Sequence, residues 1–222
     1  MSEILNTFLL TDPETAVPMD RDDFYKEQIA IAKKTGKPTR AAEVVSVLIF
    51  NSSEELLVQK RNYHKAHNPG LLDKSIGGHV RYGDTANYSV MVETVQELQT
   101  PSIVLKNLND FNKTLNLLDE YLTTIAIVKH SLTELQIWDR IVDGKKVKMV
   151  NKVNAYFGIY DGSIKAVDRE AKGVLFYTLD ELDQEIKAQP ETFTHDLRVL
   201  VDALRPDIEE FLKFLRNKKK LK

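Results

Sequence analysis

Glu93 and Glu97 lie one helical turn apart with Gln96 beside them, and they are the residues of this chain best spaced for metal-assisted chemistry. Side chains at i and i+4 leave a helix on one face, with i+3 next to them, so the three form a single oxygen-rich patch. Hard divalent cations such as Mg²⁺ take oxygen ligands, keep several waters, and bind through a few carboxylates plus substrate phosphates. Just upstream, GGHVRYGD places the paired glycines Gly77 and Gly78 before a Gly83-Asp84 turn. Glycine allows backbone to approach a phosphate closely. Spacing alone leaves a second reading open, an ordinary solvated acidic helix face.

The elements that would position these residues follow from local pattern. Ser75 to Val80 reads as a short strand carrying the glycines, and Thr85 can cap a helix running to about Leu98, with Pro101 enforcing the stop. Met91, Val95 and Leu98 are expected to pack inward from that helix. Before it, residues 1–23 read as strand and turn, Asp22 to Lys34 as a helix ending at Gly36 and Pro38, and Val44 to Phe50 with Leu56 to Arg61 as a hairpin. NYHKAHNPGLLDK, 62–74, is a loop. After it, a helix is expected over Asn109 to Leu122. Strands follow over Thr123 to Lys129, Leu135 to Val142, Val147 to Tyr160 and Gly173 to Tyr177, with an Asp143-Gly144 hairpin turn. Leu179 to Lys187 and Asp196 to Leu215 close the chain as helices, the last kinked or divided at Pro206. Strands interleaved with helices imply an α/β class with a mixed sheet covered on both sides.

Composition bounds the rest. The 222 residues carry 42% hydrophobic and 29% charged side chains, the balance of a soluble globular protein, with no internal repeat, so one domain is expected. No apolar run approaches the roughly 18–20 residues of a membrane span. The start, MSEILNTFLLTDPE, has no basic leader, so no signal peptide is expected. The absence of cysteine excludes disulfides, zinc thiolates and thiol nucleophiles, and fits a cytoplasmic location. A net charge of −2 gives no global attraction to nucleic acid or an acidic membrane. Arg216, Lys218 to Lys220 and Lys222 read as a solvated basic tail. No Gly-x-Ser-x-Gly, phosphate-binding P-loop or dinucleotide fingerprint is present. Trp138, Tyr156 and Phe157 read as core.

Gly77 to Thr100 resembles the Nudix box, G-x5-E-x7-R-E-U-x-E-E-x-G-U, where U is a bulky apolar residue. Gly78 takes the first position, Asp84 stands for the first glutamate, and Glu93 and Glu97 match later glutamates. Val92 replaces the arginine, Thr94 an aliphatic residue, Gln96 the first of the paired glutamates, and Gln99 the terminal glycine. The flanks strengthen the likeness. ELLVQKRNYHKAHNPGLLDKSIGGHV before the box and GVLFYTLDEL after it resemble the branch near isopentenyl-diphosphate isomerases. So does PETFTHDL, with His195 where proline is usual. The resemblance spans roughly 43–100 and 147–204, leaving 1–42 as a lead-in, 101–146 as a family-atypical insertion or dimer element, and 196–222 as a C-terminal helix and basic tail.

The resemblance implies a Nudix-type α/β/α sandwich that hydrolyses a nucleoside diphosphate linked to another group with Mg²⁺ or Mn²⁺. The implied ligands are Glu97 first, Glu93 as second ligand or water-orienting base, and Gln96 through its amide oxygen. Gly77, Gly78, Lys60 and Arg61 would meet the substrate, with His79, Asp84 and Glu170 (or Asp168) as further candidates. His79 also reads as a loop residue with a structural hydrogen bond, and His64 and His67 lack a carboxylate partner. The implied partner is a small-molecule diphosphate, with no nucleic acid or membrane and with room for a homodimer. Isomerases of this branch carry a catalytic cysteine where Gly77 stands, so that activity is not expected. The alternative is a weakened Nudix domain that binds a nucleotide, a diphosphate or a protein without turnover.

Overall fold

The computed structural model describes residues 3–164 and 171–220. The chain opens with β1 (Ile4–Leu9), β2 (Asp12–Asp20) and α1 (Arg21–Thr35), then β3 (Arg40–Phe50) and β4 (Leu56–Arg61). β5 (Leu72–Asp73) and β6 (Ile76–His79) lead into α2 (Ala86–Leu98), followed by β7 (Ser102–Leu105) and α3 (Leu108–Leu117). β8 (Ala126–Val142) and β9 (Lys145–Ile159) form a long hairpin, and β10 (Ala171–Tyr177), α4 (Leu179–Ala188) and α5 (His195–Lys220) complete the chain.

β3 is the axis of the sheet. One edge runs parallel to β9 from Ala41 to Phe50, and the other is shared in turn by β1, β6 and β4, all antiparallel. The strand order β10-β4-β3-β9-β8-β7 completes a mixed sheet. Alternation along β3 sends Val45, Val47 and Ile49 to the α2 face with Val90 and Leu98. Val44, Leu48 and Phe50 go to the opposite face, where α3 and α5 pack. There Phe211 contacts Phe50, Phe111 and Phe157 with ring centroids 5.3–6.0 Å apart, within the aromatic-pair range. A third cluster seats Phe24 and Tyr25 of α1 against Leu5, Ala42 and Met149. The result is the expected α/β/α sandwich.

Several local readings change. α2 turns Val90, Thr94 and Leu98 inward, whereas Met91 is 46% and Val95 53% exposed. The inward row was hidden by Thr94, which is buried because its hydroxyl donates to the Val90 carbonyl at 2.6 Å. Thr85 caps the helix as expected, accepting from the Tyr88 N–H. The helix ends before Pro101, at Gln99, which holds φ 55° in the left-handed region. β8 is one strand and not two, its register shifting between His130 and Leu132. The shift breaks the apolar alternation on which the sequence reading relied. β7, only 4 residues long, escaped that reading. The segment 101–146 supplies β7, α3 and β8, and its Phe111, Leu115 and Trp138 enter the main core. α5 runs undivided through Pro206, held by a buried row from Leu197 to Leu215. Its basic end continues the helix and is mostly exposed, as expected of a solvated segment, with Arg216 pairing with Glu54 and Lys218 with Asp119, both at 2.6 Å. Lys222 lies outside the described residues.

Gln99 occupies a backbone region that costs a residue with a Cβ roughly 1–2 kcal/mol, part of which glycine gives back through its freer unfolded chain. Gln99→Gly is therefore expected to raise stability by about 0.5–1 kcal/mol in urea denaturation, with an unchanged m-value.

Candidate active site

The glycine strand and the box helix meet across β3. Gly77 and Gly78 of β6 pair with Ser46 and Val45, and the Glu93 carboxylate lies so close on Gly78 that a Cβ there would overlap it. Glu97 is held at both oxygens: Gln59 Nε2 donates to Oε2 at 2.7 Å, and the Gly77 N–H donates to Oε1 at 3.3 Å. Both carboxylates border a cleft of about 820 Å³ that also takes in Arg61, Gln96, His79 and Arg81.

Of the residues expected at the site, Gly77, Gly78, Arg61, His79, Glu93, Gln96 and Glu97 line this cleft, but Lys60 and Asp84 do not. Successive strand residues point to opposite faces, so Arg61 faces the cleft, Gln59 on the same side reaches Glu97, and Lys60 turns away. Its ammonium lies 5.9 Å from the Tyr63 ring centroid. Asp84 is held in the turn before α2, its N–H donating to the Arg81 carbonyl at 3.0 Å. Glu170 and Asp168 lie outside the described residues. His79 sits beside Tyr25, whose hydroxyl is 2.8 Å from Nε2.

The opposite wall was not legible in the sequence. Lys74 is buried in the cleft floor, 2.6 Å from Asp196 and 3.5 Å from Asp73, with the Trp138 ring centroid 5.1 Å away. Asp73 also pairs with Arg61 at 2.8 Å and accepts from the Thr194 hydroxyl at 2.9 Å. LLDK and FTHD, which sequence treated only as flanking likenesses, are thus two halves of one buried network. No local pattern joins them. The 62–71 loop is hooked to β8, where Asn68 Oδ1 accepts from the Ile141 N–H at 2.8 Å, which brings His67 into the cleft.

Burial by itself would raise the Asp196 pKa, but the Lys74 ammonium and the Arg140 guanidinium outweigh it and hold the group well below the carboxylate range. Burial would likewise lower the Lys74 pKa, yet Asp196 and Asp73 raise it. His67 is pushed down to about 4 by burial and then by Arg140 and Arg61. Burial and nearby cations, Arg140 first, lower His79 as well. Both imidazoles are therefore neutral at pH 7, and that of His79 pairs with the Tyr25 hydroxyl. Among the described residues no three His, Asp or Glu side chains cluster to hold an ion. The donor set on α2 is two carboxylates and the Gln96 amide.

Asp196→Ala leaves the Lys74 charge buried without its nearest partner. It should cost about 3–5 kcal/mol at neutral pH, and a Lys74→Met/Asp196→Leu pair should recover most of that. Because the folded Asp196 pKa is depressed, its contribution is complete above the ordinary carboxylate value and fades as pH falls through the folded value. Urea melts across pH should therefore show the wild-type advantage shrinking only below about pH 4.

No protein-family model matches the sequence. The isopentenyl-diphosphate Delta-isomerase of Serratia proteamaculans is 28% identical over 149 residues, which cover 67% of this chain and 68% of that protein. The crystal structure of DR0079 from Deinococcus radiodurans superimposes with a TM-score of 0.55 at 18% identity, covering 90% of this chain and 98% of that one. A Nudix hydrolase from Nitrosomonas europaea overlaps with a TM-score of 0.44 at 10% identity, covering 75% and 90% of the two chains. Among the described residues no helix is long and apolar enough to cross a membrane. The chain thus shares its fold with DR0079 and is similar in sequence to the isomerase, with a glycine strand and two box-spaced carboxylates at the centre of the sandwich.

Proposed function

We propose that the chain is a metal-dependent hydrolase of a nucleoside diphosphate linked to another group. The observation that carries this reading is the fixed carboxylate pair: Glu93 laid on Gly78, and Glu97 tied to Gln59 and the Gly77 N–H, at the edge of a cleft lined with cations. The hard oxygen donors of Glu93, Gln96 and Glu97 fit one Mg²⁺ or Mn²⁺ that keeps several waters. Such an ion, when bound, offsets phosphoryl charge and favours an attacking water.

The chain's own residues do the remaining work. Gly77 and Gly78 let phosphoryl oxygens approach the backbone. Lys74, kept protonated by Asp196, supplies a fixed positive charge in the floor beside Gly77. Arg61, oriented by Asp73 and the His67 carbonyl, supplies a second. Glu93 is the candidate for orienting the attacking water. The curated relative is an isomerase by name, but the position of that branch's catalytic cysteine is Gly77 here and the chain has no cysteine, so that proton-transfer chemistry lacks its group.

A specific observation favours the second reading, a binding module with little turnover. Both Glu97 oxygens already accept protein hydrogen bonds, and the neighbouring donor is the neutral Gln96. A screen of nucleoside diphosphate compounds with Mg²⁺ and Mn²⁺ separates the two. The hydrolase reading expects metal-dependent turnover that falls by about 10²-fold or more in Glu97→Gln. Turnover unchanged by that substitution removes Glu97 from its role, and tight ligand binding with no turnover and no metal requirement supports the module. Gly78→Ala provides a further check. The added methyl meets the flexible end of Glu93, so circular dichroism and the melting temperature should stay near wild type while turnover drops.

A further inference from the structure

Most of the cations of the cleft are matched by carboxylates. Arg21 and Arg81 reach Glu3, Arg61 reaches Asp73, and Lys74 reaches Asp196. Arg140 is different. Its guanidinium lies 5.5 Å from the Tyr25 ring centroid and 5.9 Å from that of Trp138; among the described residues it makes no side-chain hydrogen bond or ion pair within 4 Å and acts on Asp196 only through its field. Two aromatic faces fix the plane of the fork, which leaves its N–H groups for a ligand. Arginine in such a setting matches the oxygens of a phosphate bidentately, and it has already lost the rotational freedom that an exposed arginine would still have to give up.

Its position relative to the carboxylates is informative. Contacts lead from Arg140 to Trp138, from Trp138 to Lys74 and from Lys74 to Gly77, where Glu97 is held. Arg140 thus lies further along the cleft wall than the carboxylate pair. The surroundings favour an anion. His67 also lines the cleft, and its Nδ1 is buried without a hydrogen-bond partner. Arg140 comes from β8, inside the segment 101–146 for which the family likeness offered no counterpart.

We infer that Arg140 anchors a phosphoryl oxyanion of the substrate, in a subsite walled by Tyr25 and Trp138 that binds without the metal ion. The assignment rests on the proposed diphosphate substrate and makes Arg140 a specificity-determining residue. The group at Glu93 and Glu97 is hydrolysed, while the oxyanion at Arg140 fixes which end of the substrate faces them.

The probe is inorganic pyrophosphate titrated into the full chain in EDTA, read by calorimetry and by emission from Trp138, the single tryptophan. The wild type should bind saturably with a change in emission. Arg140→Met should weaken binding by about tenfold or more, and Arg140→Lys, which keeps the charge but loses the fork, should weaken it measurably. Loss of turnover in Glu97→Gln tests the hydrolase reading, and weakened metal-free binding in Arg140→Met tests this one, so the two failures are distinguishable. Three results overturn the inference: no binding without metal, wild-type affinity in a folded Arg140→Met or, should that variant not fold, in Arg140→Lys, or succinate binding as tightly as pyrophosphate.

Discussion

The ion pair between Lys74 and Asp196 joins positions 122 residues apart at 2.6 Å, and both side chains are almost fully buried. Taking two charges out of water costs several kcal/mol for each ion, and the geometry must recover it. It does so here through several contacts. Asp73 gives Lys74 a second carboxylate, Trp138 offers it a ring face, and Thr194 ties Asp73 back to the start of α5 through its hydroxyl. The Thr194 N–H also donates to the Leu72 carbonyl at 2.8 Å. This junction locks the strand that leads into Gly77 and Gly78 to the longest helix of the molecule. Lys74 can lie along the strand only because Gly77 has no side chain, since a Cβ there would meet Lys74 Cε. The glycine therefore serves the packing of the floor as well as access to the cleft.

The altered box acquires a physical description. In the family pattern an arginine precedes the first helix glutamate; here Val92 cannot form that pair. The carboxylates are fixed by other means, Glu93 by its seat on Gly78 and Glu97 by Gln59 and the Gly77 amide. Gln59 reaches Glu97 because it alternates on β4 with Arg61, so one strand orients a carboxylate and contributes a cation to the same cleft. Thr94 replaces an aliphatic residue at little cost, because its hydroxyl bonds within the helix and only its methyl meets the core. Gln99 replaces a glycine and keeps the left-handed turn at the expense of backbone strain. Gln96 is the substitution with consequences for chemistry, since it exchanges a negative donor for a neutral one.

Sequence carried far where the signal is local. The Thr85 cap, the limits of β4, the Asp143-Gly144 turn and the juxtaposition of Glu93 with Glu97 all follow from residues within a few positions of one another. It failed where facing decides. Lys60 and Arg61 are adjacent and chemically alike, yet strand alternation sends one into the cleft and the other away from it. Met91 and Val95 look like an inward face until the buried Thr94 reveals the true one.

Read alone, the sequence determined which residues could supply oxygen donors, which glycines precede them and, through the box and its flanks, which fold would hold them, because each depends on spacing along the chain. Tertiary structure decided what surrounds those donors. Only folding brings Lys74 to Asp196, His67 to Tyr25 and Gln59 to Glu97, since these contacts bridge segments that share no sequence pattern. The charge balance of the cleft is set by those long-range pairings, and spacing along the chain does not encode them.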